Sequence, residues 1–275
     1  MKKKVATIIL NRNLPKVTDK LYNQIKKYNK NETDIFIVDA GSIKKNISKY
    51  STWIADWKQA KKKGLRFGRG MNFGLSKLYE ENRFYDYEYF FLITNDTIIK
   101  NKPIIKDFCK IMEKHNYLAI LSPCSKKWGE KNLLQKNKIK YFWYIHNNAY
   151  FLRRSFLDKI KNIKKPGYRN FLFDGKNFRG YGIVSEIILK AYKLNMAAAI
   201  TSKIWVEENE NYLLKMSNLI KTEPYNQNLI LYLREGITWM KKKYKFQSKW
   251  DFSMHIKKFY DKFFQKNKEL LKYKL

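Results

Sequence analysis

Apolar residues recur along the chain in two rhythms that alternate. Val5-Ala6-Thr7-Ile8-Ile9-Leu10 is a short, almost unbroken apolar run bounded by polar residues, the pattern of a parallel strand covered on both faces. A helix follows, with Pro15 in its first turn, Leu21, Ile25 and Tyr28 as its stripe and Asn29-Lys30-Asn31 as its close. Residues 35–38 form the next strand, ending at Asp39-Ala40-Gly41-Ser42. Residues 64–74 read as a glycine-spaced loop running into a helix marked by Leu75, Leu78 and Tyr79, and residues 87–93 as another buried strand before Thr94-Asn95-Asp96-Thr97. Further on, 117–121 predict a strand, 141–152 a strand or hairpin, 182–194 a glycine-led helix and 200–206 one more strand. Beyond about residue 210 the pattern is helical, with Pro224 near one helix start and Ser248 and Asp251 as N-cap and N3 acid of the last helix.

Strand and helix in alternation predict an α/β fold: a Rossmann-like, mostly parallel central sheet with helices on both faces, plus a C-terminal helical extension. With 275 residues the chain divides into a main domain, 1–210, whose halves are 1–100 and 101–210, and the extension 211–275. Ligands of such sheets bind beyond the carboxyl ends of the strands. Asn11, Asp39 and Asp96 each lie just past a strand, so one sheet edge gathers all three.

Charge adds a second clue. The formal net charge is +34, from 58 basic and 24 acidic residues, so the surface attracts phosphate-bearing molecules, anionic lipid or nucleic acid. Most of the basic residues are Lys, whereas dedicated nucleic-acid readers favour Arg forks. That scarcity of Arg and the strand-end acids argue against a nucleic-acid-binding protein, and no nucleic-acid partner is expected. A nucleotidyltransferase is the other alternative; it wants a basic phosphate loop directly after the first strand, where only Arg12 and Lys16 stand. Cys109 and Cys124 form no CxxC pair, which fits a reducing, cytoplasmic setting. The apolar run after Lys2-Lys3-Lys4 is too short for a signal-peptide core, and no run approaches the ~18 apolar residues of a membrane span.

Four segments in order resemble the glycosyltransferase family 2 enzymes, inverting nucleotide-sugar transferases of the GT-A fold, over roughly residues 5 to 210. Residues 8–13 look like the family's first strand and nucleotide loop, and Val38-Asp39-Ala40-Gly41-Ser42 resembles its V-D-N-G-S, whose Asp accepts a hydrogen bond from the base. Residues 66–75 resemble the loop G-F-x-x-x-x-N-x-G-L, and Thr94-Asn95-Asp96-Thr97 matches the N-N-D-T form of the DxD motif. The resemblance implies a nucleotide-binding half at 1–100, using Asn11, Arg12, Asp39, Arg66, Asn72, Asn95 and Asp96, and an acceptor-binding half at 101–210. It implies Mg²⁺ or Mn²⁺ on Asp96, with Glu208 or Asn209 standing where relatives carry a metal- or diphosphate-holding His. A cation there would neutralise the charge that builds on a departing diphosphate. Each motif also has a plain structural reading. Asp39 before Ala-Gly-Ser can simply form an Asx-turn, and Asn-Asp-Thr an ordinary turn.

Inversion needs a carboxylate to take the acceptor hydroxyl's proton. In the family it follows a Gly-Tyr/Trp-Gly turn at a helix start; here Gly180-Tyr181-Gly182 leads to Glu186, the first candidate, with Asp174 in reserve. His146, Asn148 and Tyr181 are the acceptor-side candidates. The implied activity is sugar transfer from a UDP- or dTDP-sugar to a growing surface polysaccharide or lipid-linked glycan. Apolar residues at 252, 256, 259, 260, 263, 264, 270 and 271, ringed by Lys, make an amphipathic basic helix. It either lies on an anionic membrane at the inner face of the cytoplasmic membrane or packs on the protein.

Overall fold

The computed structural model describes residues 3–125, 132, 134, 138–145, 148–209 and 223–275. Its first half is the parallel sheet expected: β1 (Val5–Asn11), β2 (Thr33–Asp39), β3 (Trp53–Ile54) and β4 (Tyr89–Thr94) run in one direction, with β1 between β2 and β4. Val5, Ala6, Thr7, Ile8 and Ile9 are all fully buried, which is why the run lacks polar alternation. Register sets the strand ends level: Asn11 pairs with Asp39, and Leu10 with Thr94.

The second half continues the sheet with β5 (Thr97–Ile99), β6 (Leu118–Ser125), β7 (Ile139–Tyr141), β8 (Ala149–Arg153) and β9 (Ala197–Glu208). The strand order is β3-β2-β1-β4-β8-β6-β9-β5, with β7 pairing off β9. β8 lies antiparallel between β4 and β6, while β6 and β9 are parallel. Residues 141–152 are therefore no hairpin, because β7 and β8 pair with different strands.

Helices α1 (Pro15–Asn29), α2 (Lys58–Lys63), α3 (Arg66–Glu80), α4 (Ile104–Lys114), α5 (Arg154–Ile160) and α6 (Ile183–Lys193) surround this sheet. α3 corrects the reading of 64–74 as a loop, since its helix begins at Arg66. A Cβ on Gly70 would stand 2.3 Å from Leu10 Cδ1, and one on Gly74 would stand 2.8 Å from Val38 Cγ2. These glycines let a helix approach the sheet closely rather than let backbone cradle a phosphate. Glycine's low helix propensity, about 1 kcal/mol against Ala, concealed the helix from the pattern.

The C-terminal part is helical, as expected: α7 (Tyr225–Tyr244) starts after Pro224, and α8 (Lys249–Lys266) carries the capping box of Ser248 and Asp251. The apolar stripe of α8 is covered by protein. Phe252, Ile256, Tyr260, Phe263 and Phe264 are buried, with Tyr260 and Phe263 edge-on to Tyr192 of α6 and Phe263 against Tyr141 of β7. Of the two roles open to that stripe, packing on the main domain is the one realised. Among the described residues no helix is long and apolar enough to cross a membrane.

Candidate active site

The level ends of β1, β2 and β4 are joined by a buried polar knot. Asp39 is fully buried; its Oδ1 accepts from the backbone N–H groups of Gly41 (3.1 Å) and Ser42 (2.8 Å), and its Oδ2 from Asn11 Nδ2 (2.8 Å). Asn11 Oδ1 in turn accepts from the Thr18 hydroxyl (2.8 Å) and from Asn95 Nδ2 (3.2 Å), and Asn95 also donates to Thr18 Oγ1 (2.9 Å). The Asx-turn is thus real, and it fixes the loop after β2 with charge-assisted bonds. Gly41 is required there: its φ is +93°, and a Cβ would stand 2.1 Å from the Ala60 carbonyl oxygen.

Asp96 follows the knot and is half-buried. The Thr94 hydroxyl donates to its Oδ1, and the Asn209 N–H donates to its backbone carbonyl (2.9 Å). Thr97 pairs with Glu208, so the end of β9 lies alongside the turn, and the Thr94 N–H bonds the Asn148 carbonyl (3.1 Å). The backbones of the 94–97 turn, of Asn148 and of the end of β9 at Glu208 and Asn209, far apart in sequence, therefore come together, and Asn209 lines a small cavity with Asp96. Among the described residues no three His, Cys, Asp or Glu side chains cluster. The oxygen donors here suit Mg²⁺ or Mn²⁺, which accept one or two carboxylates and take their remaining ligands from phosphate and water.

Beside the knot lies a basic wall. Arg12 lies over Gly64 and donates from Nη1 to the Lys63 carbonyl (2.9 Å). Burial, and then Arg66, push its guanidinium down to about 10 against the pull of Asp39. Burial and Arg179 likewise lower Arg66, with Glu223 opposing. An incoming anion would relieve both desolvated cations. Arg66, Arg69 and Arg179 stack about the ring of Phe178 at 5.5, 4.7 and 5.6 Å, and Arg69, Phe178 and Arg179 line a cavity of about 630 Å³. Two acids close it: Glu223 pairs with Arg66 (3.1 Å) and Arg179 (2.6 Å), and Glu235 of α7 pairs with Arg179.

Asn72, expected on the nucleotide, has another task. Fully buried in α3, it donates to the carbonyls of Tyr168 and Phe173 and accepts from the N–H groups of Leu172 and Phe173 at 2.8–3.2 Å. All four of its amide valences staple the loop at 168–173.

The two candidate bases share one lysine. Glu186 sits in the first turn of α6, as the spacing suggested, but it is buried there, and its Oε1 accepts from the Tyr244 hydroxyl and from Lys243 Nζ (2.7 Å). Asp174 accepts from the same Lys243 (2.7 Å) and from Trp239 Nε1 (3.0 Å) through Oδ2, and from the Lys176 N–H (3.0 Å) through Oδ1. Burial alone would raise the Asp174 carboxyl, but these bonds hold it below the usual carboxylate range. Asp174 lines a cavity of about 620 Å³ with Trp239 and Lys243; Glu186 does not. Tyr181 lies under α7, edge-on to Tyr232, where Gly236 leaves room for it. His146 lies outside the described residues. Arg179, Glu235 and Lys243 went unforeseen, for only Arg179 stands in a motif, directly before Gly180-Tyr181-Gly182.

Neither a protein-family profile nor a curated sequence matches the chain. Solved structures do resemble it. A mannosyltransferase from Pyrobaculum calidifontis, solved with GDP-Man and Mn²⁺, superposes with a TM-score of 0.57 at 10% identity, covering 90% of this chain and 66% of that one. GalNAc-T7 with UDP, GalNAc and Mn²⁺ gives 0.56 at 10% identity, covering 88% and 56%. S. aureus TarS 1-349 with UDP-GlcNAc gives 0.50 at 14% identity, covering 87% and 74%. The chain has the GT-A fold. It spans less than two thirds of the length of the first two GT-A neighbours. In this GT-A sheet the knot, Asp96 and the basic wall all lie at the carboxyl edge of β1, β2 and β4.

Proposed function

We propose that the protein is an inverting glycosyltransferase that moves a sugar from a nucleoside diphosphate donor, a UDP- or dTDP-sugar, to a surface polysaccharide or lipid-linked glycan. The observation that carries this reading is the convergence of the Asn11–Asp39–Asn95 knot, Asp96 and the Arg12–Arg66 pair on one edge of a GT-A sheet. The knot positions the loops that take the nucleoside, and the desolvated guanidiniums favour a diphosphate. Asp96, with Glu208 or Asn209 from the end of β9, would hold Mg²⁺ or Mn²⁺, which supplies charge neutralisation for the leaving diphosphate.

Of the two acids tied to Lys243, Asp174 takes the proton-accepting role in this proposal, because it lines a cavity and stays ionised at neutral pH. Glu186 anchors Lys243 from behind. A panel of nucleotide sugars assayed for hydrolysis and for thermal shift with Mn²⁺ tests the reading. Asp96→Ala is expected to lower hydrolysis about 100-fold or more while the melting point stays near the parent's, since Asp96 is half-buried. If no nucleotide sugar is hydrolysed and no nucleotide shifts the melting point, or if Asp96→Ala behaves as the parent, the proposal fails. Asp174→Asn should abolish turnover with donor affinity retained; the same loss in Glu186→Gln alone would reverse the two roles.

A further inference from the structure

A second concave site lies away from this edge, where the carboxyl end of α4 meets β7, β9 and the C-terminal turn. Six lysines line it, Lys110, Lys114, Lys138, Lys140, Lys203 and Lys272, around a cavity of about 510 Å³. None of the described residues that line it is acidic. Asp107 at the rim reaches Lys203 at 3.4 Å and is shared with Lys102 at 3.9 Å. Lys203 precedes Glu208 by five positions on β9, roughly 17 Å of strand at 3.3 Å per residue, so the cavity is separate from Asp96.

The floor is built, not incidental. His115 Nδ1 lies 3.0 Å from the Tyr141 hydroxyl, and Tyr273 stacks on Tyr141 with centroids 5.3 Å apart and stands edge-on to His115 at 4.8 Å. Lys140 Nζ donates to the carbonyls of Lys272 (3.2 Å) and Lys274 (3.0 Å), which locks the C-terminal turn against β7. Like charges converging on a concave surface repel and focus a positive potential into it. The neighbouring imidazole registers that potential: after burial, Lys114 and Lys272 push His115 below its usual range.

We propose that this pocket binds a small ligand carrying two or more phosphate groups. Lysine ammoniums are point charges suited to phosphate oxygens that come from several directions, whereas a single planar carboxylate would prefer an Arg fork. The pocket is too small for a duplex, and the two rings among its described lining residues, His115 and Tyr273, are already packed on each other and on Tyr141, which disfavours base recognition. The site is independent of the transferase reading and stands if that reading fails.

Inorganic tripolyphosphate is the probe, titrated calorimetrically into the full chain at 0.15 M salt, where diffuse surface attraction is screened. Lys110, Lys114 and Lys138 are exposed, so the combined variant Lys110→Gln, Lys114→Gln, Lys138→Gln should keep the parent's melting point. It should bind tripolyphosphate roughly tenfold or more weakly. A control with the same charge loss, Lys159→Gln, Lys164→Gln, Lys165→Gln, should bind as the parent does. In the parent the His115 imidazole resonance should move on titration, and in the pocket variant it should not. Phosphatidylglycerol vesicles in place of tripolyphosphate distinguish the source: pocket-dependent vesicle binding assigns the phosphates to lipid headgroups, and vesicle binding indifferent to the pocket variant assigns them to a soluble ligand. Equal weakening in the control, or no saturable binding by the parent, overturns the site. Pocket-dependent binding of a random oligonucleotide that displaces tripolyphosphate would overturn the small-ligand reading.

Discussion

The two ends of the candidate site are held by different kinds of force. At the donor edge, Asn11, Thr18, Asp39 and Asn95 are buried amides, a hydroxyl and a single carboxylate, joined by short hydrogen bonds between loops that leave adjacent parallel strands. At the other end, charges on α7 and just before it reach back to the main domain: Glu223 and Glu235 to Arg66 and Arg179, and Lys243 to Asp174 and Glu186. The first arrangement is set by sheet register and cannot loosen without unfolding the edge. The second joins separate elements through ion pairs of uneven exposure: the Arg179 and Glu186 side chains are buried, whereas Glu235 and Lys243 are about a third exposed, and for those two water and salt compete. A hydrogen-bonded donor platform is thereby combined with a helix tied to the main domain by charge pairs.

The sharpest way to break this contrast is at Asp39. Asp39→Ala would leave the N–H groups of Gly41 and Ser42 and the amide of Asn11 buried without their acceptor. The expected cost is roughly 3 to 5 kcal/mol of stability, read as a lower urea midpoint, together with loss of nucleotide binding. A change of less than about 1 kcal/mol would mean that the knot is not the rigid element.

Lys243→Met addresses the other end, with a smaller effect. Lys243 is more than a third exposed, so screening discounts its pairs and the expected loss is about 1 kcal/mol near neutral pH. Burial pulls its ammonium down, but the bonds to Asp174 and Glu186 raise it overall. A raised cation contributes stability that is complete below its unfolded value of 10.5 and is lost as pH climbs through the higher folded value. Asp174 is depressed, so its contribution is present above 3.8 and disappears as pH falls through its lower folded value. The stability difference between parent and Lys243→Met should therefore be flat across neutral pH and shrink at both extremes. A difference that varies between pH 6 and 8 would contradict the assignment of these partners.

The same contrast explains what was legible in the chain. β1, β2, β4 and the strand-end residues Asn11, Asp39 and Asp96 announce themselves locally, because a buried parallel strand needs an apolar run and its ligand edge begins where that run stops. The approach of the end of β9 to the turn at Asp96 depended on strand order. The pairs made by Arg179, Glu223, Glu235 and Lys243 left no local trace, for a charged residue reads the same in sequence whether its partner is water or a residue 157 positions away, as with Arg66 and Glu223. Asn72 was misplaced for a related reason. An amide in a glycine-rich stretch resembles a ligand contact until the loop at 168–173 is seen to consume it.

The smallest effect tests the role of the glycines in α3. In an exposed helix, Gly→Ala stabilises by about 1 kcal/mol. At Gly74 the new methyl would meet Val38 Cγ2 at 2.8 Å and Ile8 Cγ2 at 3.1 Å, both on strands whose ends carry the knot. Overpacking costs about 1 to 3 kcal/mol, so the net change for Gly74→Ala is a destabilisation of about 1 kcal/mol. Because the strain falls on the floor of the sheet and not on a phosphate, nucleotide affinity per folded molecule should be unchanged. If Gly74→Ala instead keeps its melting point and loses nucleotide affinity, α3 contacts the donor directly, and the rigid platform must extend from the strand ends into the helix beneath them.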